Sequence, residues 1–369
     1  MLKTTIIRLI PCEYIIWFLF CVRIVVGRFI SYMLIFVLLA LFAGSTKDNI
    51  TEDRLKIRNL IKGKEHQGIA LSISRYIDKY GTDGEVKQFQ IQWYRQLKKD
   101  HFDSSILTTR MVKYKEAPVK GRCSAGELDT MEFYSFKQNL NFVRLIAGLS
   151  PVQDIDKESS VNCQKAAWCL TANNRITHNI PKTYKCYTPG AASAASRANL
   201  SYGYSAGRAL LGLLRDEGSS NISVGHRRWL LNPSLTFPGY GLTDKVMVVQ
   251  VFGQKSNFRK VYKDLAEYEE RGIAWPVAGI HPKFLATKRF SFSLAKASFK
   301  NCTITVRKNG KLISIKRYPL KPNFANPTVV FEVNDFPKDG DLYQISIRNV
   351  LAKGNVKKNF TYSTTIKDL

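Results

Sequence analysis

The sequence predicts an α+β fold in two domains, and three observations carry that prediction. Through the middle of the chain apolar residues recur at helical spacing, as in Phe136, Leu140, Val143 and Ala147. Beyond Trp275-Pro276 the period changes to two and stays there, the mark of half-buried strands. At 369 residues the chain is long enough for two separate cores, since one core serves ~100–200 residues. Its composition, 45% apolar and 23% charged, is that of globular protein and excludes a wholly disordered chain.

Taken in order, residues 1–45 read as a signal peptide or a membrane anchor. Tyr14 to Ala43 is almost wholly apolar, broken by Arg23, Gly27 and Arg28, and it ends in the small residues Ala43-Gly44-Ser45. That is the layout of a signal h-region with its cleavage site. Left uncleaved, the same run is long enough to cross a bilayer and would give membrane contact through the N-terminal segment. The chain is therefore expected to be secreted or at the cell surface, with anchoring by an uncleaved transmembrane segment as the alternative.

Export gives meaning to two further features. Cys12 and Cys21 fall in the leader, leaving Cys123, Cys163, Cys169, Cys186 and Cys302. This odd set allows at most two bridges, and the first four cysteines could pair in three ways. Sequons stand at Asn49, Asn199, Asn221, Asn301 and Asn359 and are acceptors where the host glycosylates exported chains.

Residues 46–115 carry apolar residues at loose helical spacing among mixed charges, broken at Gly81-Thr82-Asp83-Gly84, and read as a helical spacer of two helices, either packed on the main domain or holding it off a membrane. Within 120–255 follow the Phe136 helix ended by Gly148, and a second helix over Ser160 to Ala172. The second helix has small residues on the face Cys163, Ala166, Ala167 and Leu170, which suits close packing. A third helix spans Ala206 to Leu214, and a buried strand 246–252. Residues 256–284 read as a linker. Residues 285–369 hold six alternating segments, with the hairpin turn Asn309-Gly310 between two of them, and are expected to form a small β-sandwich.

Five histidines are present. His66 and His101 sit among charges and read as solvated, and His281, in Gly279-Ile280-His281-Pro282, as a turn residue. His178 and His226 stand beside helix ends, without metal-ligand spacing in either segment.

Several blocks in order resemble the CAP superfamily, which includes cysteine-rich secretory proteins, antigen 5 and plant pathogenesis-related proteins, here closest to a bacterial-type secreted branch with a β-rich tail. They are Asn141-Phe-Val-Arg144, Ala147-Gly-Leu149, the Thr177-His178 segment with Pro181, Cys186-Tyr-Thr188, Ser196-Arg-Ala-Asn-Leu200 and Gly225-His226-Arg-Arg-Trp-Leu-Leu231. The resemblance implies an α-β-α sandwich CAP domain over 120–255 followed by the β-sandwich. It also implies a cleft where two histidines and two acids bind zinc or another divalent metal ion. His178 and His226 match the histidines, and Asp216, with Glu217 as the alternative, matches one acid. Ala198 stands where many members carry the other. Asn199, internal in that fold, is expected to anchor a turn. Trp229 is expected in the core, and Arg227 and Arg228 either line the cleft or face solvent.

A net charge of +27 points to acidic partners: an acidic glycan, a cell-wall polymer or anionic lipid. Outside the cell nucleic acid is not expected, and no nucleic-acid-binding signature is present. The expected function is that of an exported CAP-domain binding or interaction protein with a two-histidine cleft. A metal-dependent hydrolase and a membrane-anchored structural protein are the alternatives.

Overall fold

A computed structural model describes residues 49–202, 206–253, 268–321 and 325–369. The chain divides into two compact units, Met1–Lys56 and Ile57–Leu369. In the first, residues 49–56 are helical, and the expected leader lies outside the described residues. Among the described residues no helix is long and apolar enough to cross a membrane.

The second unit opens with helical residues 57–63, followed by a helical pair, α1 (His66–Tyr80) and α2 (Gly84–His101), joined by the anticipated Gly-Thr-Asp turn. Asp83 caps α2: its Oδ1 accepts from the Val86 N–H at 2.8 Å. These helices are packed elements. Ile69, Ile73, Phe89, Trp93 and Leu97 are buried, and α2 is sewn to a later strand. Gln90 Nε2 donates to Ala278 O and its Oε1 accepts from Ile280 N, while the Tyr94 hydroxyl donates to Ile280 O. The pattern looked loose because the buried face includes Gln90 and Tyr94, whose polar ends are used in the interior.

After α2 a short antiparallel arm, β1 (Tyr114–Glu116) with β2 (Glu127–Leu128), leads into α3 (Thr130–Ile146). The helix is capped by Asp129 and ends at Gly148, whose φ of 72° lets the last turn close. The expected stripe Phe136, Leu140, Val143 and Ala147 is buried. Then come α4 (Lys157–Ala172), α5 (Pro189–Ser196), β3 (Ala198–Tyr202), α6 (Arg208–Arg215), α7 (Gly225–Leu230), β4 (Gly239–Leu242) and β5 (Val246–Gln250). The three strands form an antiparallel sheet in the order β3-β5-β4.

Alternation along β3 sorts the helices into layers. Ala198 and Leu200 pack with Cys163, Ala166, Ala194 and Ala195 of α4 and α5. Asn199, pointing the other way, donates from Nδ2 to His226 O of α7 at 2.9 Å. The sheet meets α4 at backbone distance: a Cβ at Gly241 would lie 2.3 Å from the Cys163 carbonyl carbon. Glycine on the strand and small residues on the helix are therefore one device.

The rest is a sandwich built from β6 (Ile273–Trp275), β7 (Gly279–Pro282), β8 (Arg289–Ser293), β9 (Thr303–Lys308), β10 (Lys311–Ile313), β11 (Ile315–Arg317), β12 (Thr328–Val333), β13 (Leu342–Leu351) and β14 (Lys357–Lys367). One sheet has the order β11-β12-β8-β6 and the other β10-β9-β13-β14-β7. Phe290, Phe292, Phe331, Tyr343, Ile345 and Ile347 fill the space between them. Asn309 and Gly310 both take positive φ, 50° and 82°, as a two-residue hairpin requires.

The described part of the expected linker 256–284 supplies two edge strands, so the sandwich begins near residue 273. Segments of three or four residues interrupted by Pro276, whose peptide bond is cis, carry too little alternation to be read as strands. Their position has a purpose. β6 runs into β7, and β10 into β11, so each edge of one sheet continues into an edge of the other, which limits open strand edges.

Candidate functional site

The site begins where α6 ends. Asp216 takes a left-handed conformation (φ 52°) that turns its fully buried side chain toward the start of α7. Its Oδ2 accepts from the His226 N–H at 2.9 Å and more distantly from the Arg227 N–H at 3.4 Å. Its Oδ1 accepts from His226 Nδ1 at 2.8 Å. The carboxylate thus caps α7 and orients the imidazole in one bidentate contact. With Nδ1–H committed to Asp216, Nε2 is the nitrogen left for a ligand.

Val224, the N-cap of α7 two residues before His226, sits at φ 45° and is completely buried. A β-branched residue in that region is strained, and it persists here because the surrounding packing fixes it. Gly225, which follows it, is not among the positive-φ residues.

His226, 22% exposed in its side chain, lines a cleft of about 220 Å³ together with Ser201, Tyr202, Arg208, Arg215 and Glu217. Arg208 is exposed, and Arg215 Nη2 donates to Phe284 O at 3.0 Å. Of the two acids considered at this position, Asp216 holds the histidine and Glu217 faces the cleft.

His178 is placed elsewhere. It is exposed, its Nδ1 donates to Ala195 O of α5 at 3.0 Å, and it is not among the residues lining the His226 cleft. Among the described residues no three His, Cys, Asp or Glu side chains group so as to hold a metal ion. In this arrangement His178, His226 and Asp216 do not come together as one donor set: the Asp216 oxygens are spent on α7 and on His226 Nδ1, while each histidine, held through Nδ1, keeps Nε2 as the nitrogen for a ligand.

Sequence reasoning missed the role of the two arginines beside His226. Both are buried, and neither lines the cleft. Arg227 donates to Leu214 O, Arg215 O, Arg289 O and the Ser291 hydroxyl, which ties α6 to strand β8. Arg228 donates to Asn326 O at 2.8 Å. From β8, Arg289 donates through Nη1 to Asp216 O, Gly218 O and Asn221 O at 2.9, 3.0 and 3.2 Å. Its charge is balanced by Glu332, which also accepts from Tyr318 at 2.8 Å. Burial alone would raise the Glu332 carboxyl, but the Tyr318 and Arg289 hydrogen bonds hold it below its usual range. The loop that presents Asp216 and Glu217 is therefore fixed by a side chain of the sandwich. An Arg-Arg pair in the sequence carries no signal that separates this from a solvated surface.

The other sequence candidates resolve as structure. Asn199 is buried as expected, and its amide holds the His226 carbonyl within α7 where a turn was expected. Trp229 stacks edge-on to Phe252 with centroids 3.9 Å apart. His281 is a fully buried strand residue and not a turn residue. It accepts from Val277 N at 3.3 Å and packs on Trp275. Burial, reinforced by the nearby Arg227 charge, pushes its pKa down to about 3. His66 is not solvated either. It bridges Trp93 and Asp100 and meets the His101 ring edge-on, and burial lowers its pKa. Of the described cysteines, Cys123 and Cys186 are bridged, while Cys163, Cys169 and Cys302 are free and buried.

No protein-family model matches the sequence, and no curated protein matches it either. The likeness to CAP proteins therefore rests on the residues quoted for it.

Proposed function

We propose that this chain is an exported binding protein of the CAP type whose cleft over His226 takes an anionic group of an extracellular polymer. One observation carries this: His226, Arg208 and Arg215 line a single open polar cleft in which Glu217 is the one acid among the lining residues. A net charge of +27 adds a long-range attraction for the same class of partner. Helices on both faces of an antiparallel sheet are consistent with the α-β-α layering of a CAP domain.

Heparin, a wall teichoic acid and vesicles containing anionic lipid are the probes that distinguish acidic glycan, cell-wall polymer and membrane. Binding to one of them that weakens as salt rises, and again by about tenfold in Arg208→Glu, is the expected result. Binding indifferent to salt, or unchanged in Arg208→Glu, would refute the proposal. Fractionation of the native host with N-terminal sequencing tests export and cleavage in one step.

The hydrolase alternative has one point in its favour: a buried Asp216 orients His226 as general bases are oriented. Among the described residues the Tyr202 hydroxyl donates to Asn174 and no hydrogen bond joins Ser201 to His226, so neither is set up as a nucleophile for it. Turnover of peptides or esters that disappears in His226→Ala would establish it.

A further inference from the structure

The largest cavity described, about 620 Å³, lies away from His226, against the α4 side of the sheet. One wall is α4 itself. Lys157, Val161 and Lys165 recur every fourth residue along its exposed face, and Val161 is 55% exposed. Deeper in, Gln164 and Trp168 complete that wall, and Phe133 and Leu128 contribute from α3 and β2.

The opposite wall is the arm formed by β1 and β2, and it is held firmly. The Cys123–Cys186 bridge ties its tip to the segment before α5. Gln164 Nε2 donates to Ala125 O at 3.0 Å while its Oε1 accepts from Leu242 N at 2.8 Å, so one buried side chain links arm, helix and sheet. The turn at Gly126 (φ 69°) is closed so tightly that a Cβ would lie 2.4 Å from Glu116 O. A disulfide, a bridging amide and a glycine turn thus keep open a hollow that collapse would otherwise fill.

The chemistry of the walls is specific. Aromatic and aliphatic side chains line the interior, and the Trp168 indole N–H has no acceptor on the protein. Two lysines stand on the α4 rim, and neither forms an ion pair among the described residues. On the facing arm Glu127 is neutralised by Lys115 at 3.1 Å, which leaves Glu116 as the opposing charge. We propose that this cavity binds an aromatic organic anion, its ring system between Phe133 and Trp168 and its carboxylate or sulfonate on Lys157 and Lys165. The volume is that of pockets for ligands of this size, with an apolar body and a few polar anchors.

The probe is 8-anilinonaphthalene-1-sulfonate, titrated into the oxidised, exported protein and read by its fluorescence and by the part of the tryptophan quenching that Trp168→Phe removes. Saturation at one equivalent with near-UV circular dichroism intact is expected, weakened about tenfold in Lys157→Glu/Lys165→Glu, tightened in Glu116→Gln and abolished in Val161→Trp. These positions are exposed, so the variants fold. Displacement by 2-naphthoate supports the ligand class, and Arg208→Glu leaves the titration unchanged. Several equivalents bound, indifference to Val161→Trp or to the lysine substitutions, or displacement by palmitate but not by naphthoate would overturn the proposal.

Discussion

The sandwich and the neighbourhood of His226 are stabilised by opposite means. Between the two β-sheets the interior is aromatic and aliphatic, with Phe290 stacking edge-on against both Phe331 and Tyr343. Around His226 the chain turns sharply at Asp216 and Val224, short helices end close together, and carbonyl groups are left without helical partners. Arg144, Arg227 and Arg289, all buried, meet those carbonyls: Arg144 reaches Leu230 O and Asn232 O, and the other two reach the ends of α6 and the loop after it. A guanidinium with five donors in a fixed fork can serve several carbonyls where no regular ladder exists. Regular backbone permits an apolar core; irregular backbone around a site needs buried donors.

That contrast sets the order of expected effects. Phe331→Ala empties part of the apolar core and should cost ~3–5 kcal/mol, read from urea unfolding. Arg227→Met keeps the volume but strands the carbonyls of Leu214, Arg215 and Arg289, with an expected cost of ~2–4 kcal/mol. The two differ in what else they move. Arg227→Met should shift the His226 imidazole resonances in the folded protein, whereas Phe331→Ala should leave them in place. A His226 spectrum untouched by Arg227→Met would show that the arginine is packing alone.

The same contrast explains how much was legible in the sequence. Alternation revealed the sandwich strands from Phe290 onward and Asn309-Gly310 revealed their hairpin, because a two-sided apolar core writes its period into the chain. The Phe136 stripe and the small face of α4 were readable for the same reason. Ile273–Trp275 and Gly279–Pro282 were not, being too short to alternate. Around His226 the resemblance placed Asp216 in the cleft as a metal-binding acid, and neither its hold on the imidazole nor the inward turn of Arg227 and Arg228 was legible. A charged side chain that donates to carbonyls looks in sequence like one facing water. His178, grouped with His226 through a resemblance, depends on loop geometry that no local pattern encodes.

Acid should separate the two regions further. His281, buried under the sandwich edge beside Arg227, has a folded pKa of about 3 against 6.5 in the unfolded chain. A lowered folded value means that the unfolded state takes up the proton first. Stability is therefore full above pH 6.5 and falls as pH drops from there toward 3, by at most ~1.4 kcal/mol per pH unit for this one proton. The lowered His66 adds in the same direction, and Glu332 and Asp341, held below the usual carboxylate range, lose their contribution only at lower pH. His281→Leu should flatten the profile between pH 6.5 and 5 while leaving the acid limb below it. An unchanged slope in that window would place the titration elsewhere.

Zinc is expected to have the smallest effect of all. A metal at His226 would have to use Nε2 with one carboxylate already spent on the α7 N-terminus and with His178 held by Ala195 O. A group that binds the folded state alone raises its melting temperature with the logarithm of the ratio of its concentration to its Kd. Equimolar to tenfold zinc should therefore leave the melting temperature within about 1 °C, in the parent and in His178→Ala and His226→Ala alike. A rise that both substitutions abolish would mean that the segment bearing His178 swings onto the cleft when metal is present. The irregular backbone around His226 would then be a mobile metal clamp, and the buried arginines would hold only its fixed half.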